Sequence, residues 1–156
     1  MKKKINLQRI NQSGQFEPFK LLIGAVLGLL ILILVLGVVE SVRSVQWQLS
    51  EGRFYDGFKI ALNTPTGDEV LREKLLFRKG TVFSGIGLGH NTPVGPLCIT
   101  FTSYDDRIST LNNNSIRKAE ILFDLQTDVI FICRTMAPDP PNCPGTIQCS
   151  VTFGSP

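Results

Sequence analysis

Charge is scarce and unevenly placed in this 156-residue sequence: 19 % of its residues are Asp, Glu, Lys or Arg, and residues 21–39 hold none. Histidine occurs once, at His90, and no Cys-x-x-Cys pair is present, so the ligand spacing of a zinc site is missing. No Ser, Cys or carboxylate forms a recognisable motif with His90, so it is assigned to a surface loop and no catalytic residue is expected. After Gly52 neither sign of charge prevails, with ten basic and ten acidic residues. The basic footprint of a nucleic-acid binder is therefore lacking. No internal repeat is visible. Gly85-Ile86-Gly87-Leu88-Gly89 lacks the βαβ surroundings of a phosphate loop, and it reads as a flexible loop or a glycine-bearing strand. No metal or cofactor is expected.

What is present begins with LLIGAVLGLLILILVLGVV at residues 21–39, a run without a charged or polar side chain. A hydrocarbon core of about 30 Å needs about 20 apolar residues in a helix, and a helix satisfies its own backbone in lipid. A core helix of a soluble domain would keep a polar face, which this run lacks. Residues 1–14 carry Lys2, Lys3, Lys4 and Arg9 and no acid. Such a flank stays on the cytoplasmic side while the rest is translocated. Beyond the run, Val38, Val42, Val45 and Leu49 continue at steps of 4, 3 and 4, one face of a helix. Gly52 is a natural stop. A helix over 16–50 would measure roughly 50 Å at about 1.5 Å per residue, longer than the bilayer core, with Trp47 near the membrane boundary.

From Arg53 the pattern changes to short apolar runs punctuated by Gly, Pro, Asn and Asp, the mark of a β domain. Strands are predicted at 54–62, 70–78, 81–85, 97–104, 120–125, 129–134 and 146–153, with Lys79-Gly80 as a hairpin turn. The last alternates cleanly, which predicts one buried face. The fold class expected is α+β: a long N-terminal apolar helix, then an antiparallel β-sandwich-like head. The domain boundaries are 1–14, 15–52 and 53–156. Cys98, Cys133, Cys143 and Cys149 all fall in the exported part, where an even count predicts two disulfides. Cys143 and Cys149 flank a segment turned by Pro144-Gly145, and Cys98 and Cys133 lie in predicted strands. Cys133–Cys149 also stays open, since both residues fall on the apolar sides of strands. Asn113-Asn114-Ser115 is a glycosylation sequon, which makes Asn113 a candidate acceptor.

The junction Ser13-Gly14-Gln15-Phe16-Glu17-Pro18-Phe19-Lys20 joins the basic leader to the apolar run. Over residues 1 to about 50 this resembles the type IV pilin superfamily, in its archaeal branch with a short leader. The resemblance implies cleavage between Gly14 and Gln15 by a prepilin peptidase on the cytoplasmic side. It implies assembly by pilus machinery into a helical homopolymer, with the membrane holding the subunit beforehand and adhesion or attachment as the filament's role. Family members carry a glutamate at the fifth position of the mature chain. Glu17 would be third, about 200° away around a helix. It faces Lys20 at i,i+3 instead and suits the positive helix N-terminus. Pro18 fits the first turn, where its missing N–H costs nothing. The alternative expectation is a membrane-anchored β-sandwich that binds an envelope component, or an accessory or stator protein of a secretion or motility machine.

Overall fold

The computed structural model describes residues 16–137 and 143–155, with side chains from Pro18 onward. The predicted leader, the Gly14–Gln15 bond, the Glu17 side chain and residues 138–142 lie outside the described residues. The chain divides into two compact units after Arg43.

Helix α1, Phe16–Asn63, is a single element of 48 residues. Through Val39 its large apolar side chains, from Phe19 on, are all exposed. It does not stop at Gly52, and the predicted strand 54–62 is helix. Phe54, Phe58, Ala61 and Leu62 are buried, and their i, i+4, i+7, i+8 spacing is one helical face. The residue that ends the helix is Pro65, which disfavours helical geometry at Thr64. Thr64 Oγ1 bonds back to the Ile60 carbonyl at 3.1 Å.

The strands are β1 (Thr66–Phe77), β2 (Val82–Ser84), β3 (Ile99–Ser103), β4 (Ile108–Asn112), β5 (Arg117–Ile121), β6 (Leu125–Thr135) and β7 (Ile147–Phe153). They form a four-stranded sheet in the order β1-β6-β7-β3 and a three-stranded sheet in the order β2-β5-β4. The larger sheet is mixed, because β3 runs parallel to β7. The expected all-antiparallel pairing is corrected there, since β3 reaches β7 by a long connection and no hairpin dictates its direction. Lys79-Gly80 turns the chain, with Gly80 at φ +85. It makes no hairpin, for β1 pairs with β6 and β2 with β5. Gly85–Gly89 is a short helix, α2, rather than a loop or strand. Ser84 caps it by accepting the Gly87 N–H at 3.0 Å.

The core of the second unit is phenylalanine-rich. The Phe54 ring of α1 lies 4.0 Å from Phe83 and 5.0 Å from Phe131, with Phe77 and Phe153 at 6.0 and 6.1 Å. One helical side chain thus meets both sheets. Gly57 makes the approach possible: a Cβ there would fall 2.8 Å from the Phe131 ring.

Candidate functional site: the apolar helix and the disulfide-bonded head

Two features are the candidate functional surfaces of the described residues, an apolar helical surface and the unit that follows it. Among the described residues one helix is long and apolar enough to cross a membrane. The consecutive residues Leu29, Leu30, Ile31 and Leu32 point to different sides of it, and all are exposed. A helix apolar all round is stable only in lipid or among other helices. A Cβ added at Gly24, Gly28 or Gly37 would meet nothing, so these positions offer flat ground for a neighbouring helix. Lys20 is exposed in the first turns, while its predicted partner Glu17 has no described side chain.

The second unit begins at Ser44, ahead of the expected boundary at 53. The C-terminal part of α1 belongs to it, and the packing joins them. Ser50, only 5 % exposed, accepts the Leu76 N–H at 3.0 Å. Arg53 donates to the Glu73 carbonyl at 3.2 Å. These bonds occupy the open edge of β1, which would otherwise present unpaired backbone groups. The opposite edge is sealed by a side chain too. Asn112 Oδ1 accepts the Phe101 N–H at 2.9 Å, and its Nδ2 donates to the Phe101 carbonyl at 2.6 Å. Neither cap is visible in hydrophobic periodicity, because Ser and Asn at these positions read as ordinary polar residues.

Both disulfides are formed, Cys98–Cys143 and Cys133–Cys149. This corrects the Cys143–Cys149 and Cys98–Cys133 alternatives. Cys133 and Cys149 are directly opposed in the β6–β7 register, where side chains of antiparallel strands stand closest. Cys98 closes the 3₁₀ turn Pro96–Cys98 before β3. Asn113 is exposed in the β4–β5 turn, and its Oδ1 accepts the N–H groups of Ser115 and Ile116. Its side-chain carbonyl is thus engaged by the turn.

His90 is exposed in the turn just after α2, at the surface as expected. Its neighbourhood is a pocket of about 340 Å³ lined by Tyr55, Lys59, Asn91 and other residues. Burial and the nearby Glu51 carboxylate push the Tyr55 hydroxyl above its usual pKa. Among the described residues no group of His, Cys, Asp or Glu is placed to hold a metal ion. Elsewhere on the unit, Asp105 and Arg107 pair at 2.6 Å. The guanidinium donates to both carboxylate oxygens and holds Asp105 below its usual pKa.

These observations define an α+β protein with an N-terminal apolar helix suited to membrane insertion or secretion, and a β-rich unit whose two disulfides point to an extracellular location. No family model, curated protein or solved structure matches the chain.

Proposed function

We propose that this chain is the structural subunit of an extracellular filament of the type IV pilus kind. Residues 1–14 are its leader, the apolar helix is the filament core, and the β-rich unit is the outer surface. The observation that carries the reading is that α1 is apolar on all sides and exposed throughout residues 21–39. That surface suits lipid before assembly and a bundle of identical helices afterwards. The role is attachment, and the partners are other copies of the chain, a prepilin peptidase and the assembly machinery.

Cleavage at Gly14 gates assembly in this reading. Extraction of an uncut subunit would draw Lys2, Lys3, Lys4 and Arg9 through hydrocarbon. Even low insertion estimates put each central cation at about 2.5–3.5 kcal/mol, and four on the order of 10 kcal/mol if independent. Replacing Gly14 by Leu therefore blocks the peptidase and leaves full-length precursor in the membrane. The test is the N-terminal mass of the chain recovered from the cell surface, together with filament counts for Gly14→Leu. A wild-type surface chain that keeps its basic leader would support a plain anchor instead.

A further inference from the structure

Within the second unit, α1 and β1 run antiparallel, and their contacts step along both elements in order. Asp56 meets Arg72 at 3.2 Å, Arg53 meets the Glu73 carbonyl at 3.2 Å, and Ser50 meets Leu76 at 3.0 Å. The series ends with the Arg78 guanidinium 5.3 Å over the Trp47 ring. β1 therefore finishes beside the residues through which the chain enters the unit, at Ser44. The loop between β5 and β6 comes to the same corner. The Lys79 N–H donates to Asp124 Oδ1 at 2.7 Å, and the Lys79 ammonium lies 5.8 Å over the Phe123 ring.

The composition of this corner is unusual for a free surface. Phe123 is 57 % exposed and its neighbour Leu122 is 36 % exposed. Two cations lie on two aromatic rings. Aromatic rings are enriched at the boundary between lipid and water. Lys and Arg there lay their stems on apolar surface and extend their charges to phosphate. Asp124, the carboxylate of this loop, is engaged by the Lys79 backbone.

We infer that this corner docks on the phosphate headgroups of the membrane that holds the apolar run. The occupant follows from covalent continuity. Val39 ends the run and stands eight residues before Trp47, a separation of about 12 Å if helical and at most about 28 Å if extended. That length keeps a bilayer holding residues 21–39 within about 28 Å of Trp47, the α1 residue of this corner, and anionic headgroups complement Arg78 and Lys79. The inference rests on membrane insertion of the run and is independent of filament assembly.

The experiment uses the full chain in vesicles of phosphatidylcholine and phosphatidylglycerol. Trp47 is the single tryptophan, so Phe123→Trp in a Trp47→Phe background places the one indole on the β5–β6 loop. Flotation first establishes that the chain is in the bilayer. Headgroup-labelled quencher lipid then extinguishes much of the indole emission. Each cation near an anionic surface is worth about fivefold in the docked-to-undocked ratio, so adding Arg78→Gln and Lys79→Gln restores most of the emission. Raised salt acts in the same direction. Three results would overturn the inference: a floating chain whose indole ignores the quencher, quenching unchanged by the double neutralisation, or protection that follows protein density rather than lipid composition, which would assign the corner to a second copy. A chain that does not float would remove the insertion on which the inference rests.

Discussion

Two glycines in adjacent turns of α1 have opposite consequences. At Gly52 an added Cβ would meet nothing, while at Gly57 it would press on Arg72 and on the Phe131 ring, both at 2.8 Å. Phe131 is fully buried and has nowhere to move. Gly52→Ala should stabilise the second unit by about 0.5–1 kcal/mol, the ordinary gain of Ala over Gly within a helix. Gly57→Ala should destabilise it by about 1–3 kcal/mol through overpacking. Chemical denaturation of the full chain in detergent, followed by near-ultraviolet circular dichroism, separates the two. Equal shifts of both midpoints would contradict the packing described for Gly57. Asp105 supplies a pH-dependent counterpart. Hydrogen bonds from Arg107 lower its pKa below the ordinary 3.8, so the unfolded chain takes up its proton first as pH falls. The pair's contribution is fully present above that ordinary value and is lost as pH drops through the lower, folded one. The stability difference between wild type and Asp105→Asn should therefore be flat at neutral pH and shrink below about pH 4. A difference that persists undiminished at lower pH would refute the pairing in solution.

At the scale of elements, the long helix and most strands were legible. An uninterrupted apolar run predicts α1, and period-two alternation predicts β7, because both signals are local. The helix end was not legible. Arg53 to Leu62 is rich in aromatic and branched residues that favour strands, and Gly52 offered a stop. The burial of Phe54, Phe58, Ala61 and Leu62 on one face overrides both. Strand β4 was missed since its burial pattern leaves only Ile108 inside, too little alternation to register. Strand sides kept Cys133–Cys149 open, but choosing among the pairings depends on sheet order. Cys133 and Cys149 face each other only once β6 and β7 are known neighbours. The sequence placed the candidate functional surface in the apolar run but missed the edge caps at Ser50 and Asn112, whose roles exist only in three dimensions. The element-scale prediction concerns where the second unit starts. A chain beginning at Ser44 should fold in an oxidising compartment with both helix and sheet in its far-ultraviolet spectrum. One beginning at Thr66 loses Phe54 from the centre of the core and should not unfold cooperatively. Phe54→Ala in the longer chain should cost about 3–5 kcal/mol. Full stability of the chain that begins at Thr66 would show that the helix is dispensable to the core.

The whole molecule joins an apolar run without a polar face, residues 21–39, to a unit that holds itself together with aromatic packing, edge caps and two disulfides. The second unit satisfies its own core, so nothing in that core calls for the long apolar surface of residues 21–39. That surface has one physical use, burial in lipid or against other helices. In the proposed filament it would be buried by copies of itself, and the small residues Gly24, Gly28 and Gly37 would let those helices approach closely. In a plain anchor it would remain in lipid indefinitely. The two accounts part on where the chain ends up. Material sheared from the cell surface, viewed by negative-stain electron microscopy and identified by mass spectrometry, is the most direct measurement. The account predicts thin filaments whose principal protein is this chain. The chain found wholly in the membrane fraction, with no filament containing it, would contradict the account.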